Sequence, residues 1–309
     1  FFCDVTIHIA EDEFVFEFEP TATNAMRSTG AAVQTLLELL RQTGDQRTFY
    51  RSAAREMRAL TGFDRVMIYR FDPDGSGEVI AESARSDIGS LLGHHYPASD
   101  IPQQARILYQ RNWLRIIPDV DATVSPIVPA IDGKGRPLDL SMSILRSVSP
   151  IHLEYLRNMG IRASMSVSIM EGGKLWGLFA CHHYDALNVS FERRTTAELY
   201  GQMFSLLMES RERGEESAYE DRGRKLHNQL ITAMAAESSR FESIVRHLDE
   251  IADLLICDGI GLWINGSATL HGMTPNTAEF ADLIVRLNAM SIEDVYSNNE
   301  IGGILPDAK

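Results

Sequence analysis

One order of elements recurs along this chain: helix, helix, strand, tight turn. It runs first from Thr29 to Glu82 and again from near Arg211 to Gly266. In the first pass Val33, Leu36, Leu37 and Leu40 fall on one stripe of a helix over Thr29 to Arg41, the spacing of an amphipathic helix. Gly44 ends that stretch and Asp45 is placed to cap a second helix. That helix carries Phe49, Ala53, Met57 and Leu60 on its apolar side and stops at Gly62. The strand Arg65 to Phe71 follows, then the turn formers Asp72 to Gly77 and a returning strand, Glu78 to Glu82. The sequence is strongly helical from Glu192, with Leu199, Met203 and Leu207 on a stripe, and the second pass begins near Arg211. A charged run from Arg211 to Arg224 leads to Leu226, Leu230 and Met234, then to Phe241, Ile244, Val245, Leu248, Ile251 and Leu255. Cys257 to Ile264 reads as a strand closing at the Asn265-Gly266 turn. A chain that repeats this order builds two related α+β domains.

Three further stretches complete the plan. Val5 to Phe18 reads as a hairpin around Ala10-Glu11-Asp12-Glu13, with Phe14, Phe16 and Phe18 on one face and Val15 and Glu17 on the other. A lone hairpin buries too little surface to stand by itself, so it reads as the tail of a domain that starts before Phe1. A second hairpin spans Ser164 to His183 around Gly172-Gly173. Between the hairpins, Pro118 to Pro137 is rich in Pro, Asp and Gly; long loops of this kind inside a compact domain are usually functional. The first complete domain therefore covers 21–209, and a second, cut short, covers 210–309.

Composition excludes several classes. The net charge of -14 argues against a nucleic-acid partner, which calls for clustered Lys and Arg. No apolar run reaches the length of a membrane helix. Cys3, Cys181 and Cys257 lie too far apart for a disulfide framework or zinc site, which fits a reducing cytoplasm.

The residues that can carry chemistry fall into clusters. Tyr96-Pro97-Ala98-Ser99-Asp100-Ile101-Pro102 opens a helix that Asp100 is placed to cap. That helix is read as carrying Arg106, Tyr109, Arg111 and Arg115, the last two sharing a face. Two guanidinium groups can hold a carboxylate, or simply be solvated. Arg146 to His152 forms a second cluster, with Tyr155 following. In Ser164 to Ile169 the serines share one face; an exposed edge or a pocket for an anionic ligand explains them equally. In Ala180-Cys181-His182-His183 adjacent side chains point to opposite faces, which weakens a metal or catalytic dyad. No P-loop, dinucleotide fingerprint or nucleophile elbow is present.

Four stretches carry a resemblance: Arg65 to Phe71, Tyr96 to Pro102, Ser149 to Gly160, and Leu175 to His183. Together they look like the pigment-binding GAF domain of bacteriophytochromes. Cys257 to Pro275 resembles the start of that family's PHY domain, and the opening hairpin, 1–20, the last strands of its PAS domain. The resemblance implies a biliverdin IXα (bilin) pocket. In it Asp100 and His152 match residues at the pyrrole nitrogens, His182 the residue near the D-ring carbonyl, and Tyr69, Tyr96 and Tyr155 the aromatic surround. Arg115 and Arg146 match the propionate-binding arginines, with Ser149, Ser164 and Ser166 as their hydroxyl neighbours. Ile101 and Pro102 match the wall, and Tyr109 joins the set from the same helix. The family's pigment-bearing cysteine has no match. Ile151 occupies the position used in plants and cyanobacteria, and the bacterial anchor belongs to a PAS segment outside this sequence.

The resemblance further implies a red/far-red photoreceptor, a homodimer through the long helices, and a separate output module such as a histidine kinase with a response-regulator partner. No enzyme is expected in this stretch. The other reading is a GAF domain that senses a cyclic nucleotide or another small ligand without light.

Overall fold

In a computed structural model the chain divides into two compact units, 1–211 and 212–309. The structure describes residues 2–21, 29–236, 244–290 and 295–297. The first unit opens with strands β1 (Cys3–Ala10) and β2 (Glu13–Pro20), paired antiparallel with Val5 opposite Phe18, Ile7 opposite Phe16 and Ile9 opposite Phe14. These apolar side chains share one exposed face, and Glu17 is buried on the other.

Helix α1 (Thr29–Arg41) buries Val33 and Leu40. Helix α2 (Gln46–Thr61) starts as its sequence dictates: the Asp45 carboxylate accepts from the Thr48 N–H, and the Gly62 N–H donates to the Arg58 carbonyl at its end. Against these helices lies a six-stranded antiparallel sheet in the order β5-β4-β3-β8-β7-β6. Its strands are β3 (Arg65–Phe71), β4 (Gly77–Ala84), β5 (His95–Tyr96), β6 (Leu114–Ile117), β7 (Ala163–Glu171) and β8 (Lys174–His183). Gly172 and Gly173 both take positive φ, 53° and 77°, the geometry of the tight turn joining β7 to β8.

The sheet's two faces do different things. Val66, Ile68, Met165, Val167, Ile169, Phe179 and Cys181 point into the main core, against Phe49, Ala53 and Met57 of α2 and Tyr200 and Phe204 of α5 (Phe191–Ala236). Met67, Tyr69, Val79 and Leu178 point the other way. Simple alternation along β4 would put Val79 and Ala81 on the same side. A register shift between Ile68 and Tyr69 pairs Tyr69 with Val79 and Ile68 with Ala81, and such a bulge re-aims side chains.

Helix α5 corrects the expected stripe. Leu199, Met203 and Leu207 only border the core, while Ala197, Tyr200, Phe204 and Met208 fill it. The aromatic rings win the buried positions because they remove more apolar surface from water. The irregular run after β6 is also longer than the expected Pro118 to Pro137. It continues to Ser149, the residue before α4 (Pro150–Asn158), whereas α3 (Gln103–Arg111) precedes β6.

The second unit contains the remainder of α5, α6 (Leu248–Leu255), the hairpin β9 (Gly259–Ile264) and β10 (Ser267–Gly272), and α7 (Thr277–Ala289). Asn276 and Glu279 form a reciprocal capping box at α7. Phe280 packs beside Trp263, ring centres 6.3 Å apart. Of the expected apolar run, Leu248 is buried and Leu255 is exposed, and Phe241 lies outside the described residues. Among the described residues no helix is long and apolar enough to cross a membrane.

Candidate functional site

Because Met165, Val167 and Ile169 point into the core, Ser164, Ser166 and Ser168 must project from the opposite face of β7. This strand is interior to the sheet, so the exposed-edge explanation of the serines fails. Ser164 and Ser166 line a cavity of about 590 Å³, within the ~300–1,000 Å³ range of small-molecule sites. A narrower lobe of about 110 Å³ adjoins it and shares several walls.

The larger lobe holds the cations. Arg115 is not on the helix with Arg111 as expected. Helix α3 stops at Arg111, and Arg115 stands on β6 opposite Ser166. The reason is local: Asn112 adopts an extended conformation and ends the helix. The Arg115 Nε donates to Ser166 Oγ (2.9 Å), and its Nη1 to the Asn112 carbonyl (2.8 Å) and Ser168 Oγ (3.2 Å). Its guanidinium carbon lies 3.7 Å from the Tyr109 ring centre. Its Nη2 is buried without a partner. Burial pushes the Arg115 pKa down to about 10, Tyr109 pulls it up, and the nearby Arg146 pushes it down further.

Arg146, half-buried, also lines this lobe and donates from Nη1 to the Ser141 (3.2 Å) and Ser143 (2.6 Å) carbonyls. Ser149 occupies the N-cap position of α4 but makes no capping hydrogen bond, and its side chain lines the cavity. Ile101, Pro102 and Tyr109 complete this part of the wall.

The narrower lobe is aromatic. Tyr69, Tyr96, Tyr155, His152 and His182 line it. Tyr69 and Tyr96 stand 6.0 Å apart, and the His152 and Tyr155 rings stack at 6.1 Å. Burial, and after it Arg65 and His152, push the His182 pKa down to about 4. Burial alone lowers that of His152. Burial pushes Tyr69 up to about 12, and burial followed by the Asp100 charge raises Tyr155. At neutral pH the site therefore offers neutral imidazoles and protonated phenols, all able to hydrogen-bond carbonyl or N–H groups. The His182 Nδ1 is a buried atom without a partner.

Asp100 is not a helix cap. It ends a short 3₁₀ turn, Ala98–Asp100, and the N-cap of α3 is Pro102, with no side-chain bond. The Asp100 carboxylate instead lies within reach of Ser99 Oγ (3.4 Å) and faces the tyrosine lobe. Thus the fold brings the residues matched to the pigment pocket to two adjoining lobes that share walls, while Arg106 and Arg111 line neither. Cys181 points away from it into the core, fully buried, and burial raises its pKa.

Sequence reading missed the support behind the cavity. Arg65 pairs with Glu82 at 3.3 Å, both buried, in ladder register with His182. Asn112, Ser168 and Glu17 hold the arginine segments. Odd-numbered alternation along β3 was the available signal for Arg65; the others depend on contacts distant in sequence.

Gly77, expected as the last of the turn formers, instead opens β4. A methyl group there would overlap the Tyr69 ring at its Cε1, Cζ and hydroxyl, and Tyr69 is 6% exposed. Gly77→Ala is expected to push that ring into the narrow lobe and cost about 1–3 kcal/mol. Thermal melts of Gly77→Ala alone and combined with Tyr69→Leu check it; the smaller Leu should recover most of the loss. Full stability in the single variant would refute the contact.

Among the described residues no His, Cys, Asp and Glu cluster could hold a metal ion.

Comparison with known proteins adds a family context. The GAF domain model matches residues 45–209 and the phytochrome region model residues 223–309. Cyanobacterial phytochrome B of Nostoc is 38% identical over 99% of this chain, and a bacteriophytochrome of Pseudomonas aeruginosa is 38% identical over 95%. The matches take up 41% and 40% of those proteins, so the chain spans about two-fifths of the length of these relatives. The photosensory core module of a Stigmatella aurantiaca phytochrome superposes with a TM-score of 0.74 at 38% identity, covering 99% of this chain and 61% of that one. A bacteriophytochrome from R. palustris gives a TM-score of 0.80 at 35% identity, with coverage of 99% and 62%.

Proposed function

The chain belongs to the phytochromes, with a GAF domain followed by a phytochrome region, and we propose that it is the light-sensing part of a bacterial red/far-red receptor holding biliverdin in the cavity beside β7. The observation that carries this reading is Arg115: a buried guanidinium with three bonds made and Nη2 unpaired beside serine hydroxyls. A buried unpaired cation is costly. A ligand carboxylate is the natural partner, and a guanidinium takes one in a charge-assisted pair. A bilin has such carboxylates on its propionate arms and a conjugated ring system that suits the aromatic lobe.

On this reading Arg115 and Arg146 hold the propionates, assisted by Ser149, Ser164 and Ser166. His152 and the Asp100 carbonyl accept from or face the pyrrole nitrogens. His182 bonds the D-ring carbonyl, and Tyr69, Tyr96 and Tyr155 bound the space in which that ring turns. The bound bilin supplies the light absorption and the rotation about a double bond. The residues around it bind the two isomers unequally, which any ligand-driven switch requires. Residues 1–20 are assigned to a PAS domain, 21–209 to the GAF domain and 210–309 to the PHY domain. Their longer protein is proposed to be a cytoplasmic homodimer coupled to an output module, a histidine kinase or similar, and through it to a response regulator.

The covalent anchor is assigned to a PAS cysteine outside this chain. Ile151, at the other known attachment position, has no thiol, and Cys181 faces the core. Adding biliverdin to this chain should produce a red absorption band that changes under red light. After denaturing electrophoresis the pigment should run free of the protein, detected by zinc-enhanced fluorescence. A pigment-bearing protein band would point to Cys3, because Cys181, the other thiol of the first unit, is buried in the core. Failure to take up biliverdin, with binding of a cyclic nucleotide instead, would favour the light-independent sensor.

A further inference from the structure

We infer that Glu17, on the opening hairpin, is a positioning residue for Arg146 and thereby helps the cavity select ligands with carboxylate arms; this rests on the bilin reading above. Glu17 belongs to β2, far in sequence from the cavity wall, yet it is only 8% exposed. Its Oε2 accepts from the Ile144 N–H at 3.1 Å and its Oε1 from the Leu145 N–H at 2.7 Å. The next residue is Arg146. Its guanidinium folds back onto the Ser141 and Ser143 carbonyls of the same segment. Asn112 Nδ2 donates to the Ser141 carbonyl at 3.2 Å, while the Asn112 carbonyl accepts from Arg115. Segment 141–146 is thus gripped on one side by Glu17 and tied on the other to both cavity arginines.

A buried carboxylate is an expensive way to satisfy two backbone N–H groups, since desolvating the charge opposes folding. Two separate neutral carbonyl oxygens would satisfy them as well. What only an acid adds is a negative charge beside a half-buried cation: burial disfavours charged Arg146, and Glu17 is among the groups that favour it. His8 completes the contact, with Nδ1 3.9 Å from the Glu17 carboxylate and Nε2 3.3 Å from Ser143 Oγ. The hairpin, whose other face is apolar, therefore contributes a side chain to the architecture of the site.

Gln at position 17 has one acceptor oxygen and turns an NH₂ group toward the second backbone N–H, so the segment must shift. The test compares biliverdin with its dimethyl ester, which lacks the carboxylates, by titrating each into the wild-type chain and into Glu17→Gln. In the wild type the acid should bind more tightly than the ester. In Glu17→Gln that preference should shrink on the order of tenfold, about one charge-assisted hydrogen bond, with ester affinity little changed. Glu17→Asp, which keeps the charge, should recover part of the preference. Equal weakening of both ligands would make Glu17 merely structural and overturn the inference. So would an unchanged preference, or tighter binding of the acid, which would mean that Glu17 chiefly repels the carboxylates. A wild type that binds neither compound would sink the bilin reading itself, a result distinct from any of these.

Discussion

Arg115→Met is expected to stabilise the pigment-free chain and, at the same time, to lower its affinity for biliverdin by roughly a hundredfold. The two effects have one cause. Arg115 is 9% exposed, has Arg146 nearby, and leaves Nη2 without a partner. Its depressed pKa of about 10, due first to burial, means that the folded chain disfavours the charged form. At neutral pH the group is charged in both folded and unfolded states, so the full penalty weighs on the folded one. Met reproduces the Arg side chain as far as Nε and carries no charge, and replacing buried ionic groups by apolar ones is often neutral or stabilising by about 1–4 kcal/mol. Some of that gain is given back, because the Asn112 carbonyl and Ser166 lose a donor. Ser168 keeps its bond to the Tyr109 carbonyl at 2.8 Å. A net rise of roughly 1–2 kcal/mol in unfolding free energy is therefore expected. On the bilin reading the order reverses with pigment present, since the ligand carboxylate loses its deepest cation. Urea unfolding of the free chain and bilin titration measure the two halves. A variant that is much less stable without pigment would show that Arg115 serves the fold, and unchanged affinity would remove it from the site.

The same residue shows where sequence reading reaches and where it stops. The helices, hairpins and tight turns follow local rules, and Asp45, Gly62 and Gly172-Gly173 act where their chemistry suggests. The serine alternation in β7 was visible too, but the choice between an edge and a pocket was not. It depends on β6 lying alongside β7, a pairing across the long irregular segment. Arg115 was assigned to a helix because four-residue spacing from Arg111 mimics one; the extended Asn112 that breaks it carries no strong local signal. The α5 stripe was misplaced by one position because neighbouring Leu, Met, Tyr and Phe all fit an apolar face, and only packing decides which are covered. The candidate site residues themselves came from resemblance. Spacing alone could not join Tyr69, Arg146 and His182, which the sheet and its loops bring to one cavity.

Asp100→Asn is expected to leave folding and dark-state pigment binding nearly intact while reducing photoproduct several-fold. A helix cap would have made this a stability question, but α3 begins at Gln103 with Pro102 as its N-cap, and Asp100 makes no capping bond. Asn is nearly the same size, so a change in stability within about 0.5 kcal/mol is expected. What the substitution removes is a charge facing Tyr155, Tyr96 and Tyr69, each of whose pKa values the Asp100 carboxylate raises after burial has done so. Under the bilin reading the backbone carbonyl of residue 100 meets the pyrrole nitrogens, and Asn supplies the same carbonyl. On that reading the carboxylate is proposed to make a contact in the lit state only, and an amide cannot replace a charged acceptor there. A contact made in one state only shifts the balance between states by its own free energy. Light-minus-dark spectra of wild type and Asp100→Asn, recorded in chains extended to include the full PAS and PHY domains, read this directly. The expected pair of results is a matching dark band and a weakened difference signal with more fluorescence. Equal photoproduct yields would strip Asp100 of a switching role, and a lost dark band would mean that its carboxylate, rather than its carbonyl, holds the pigment.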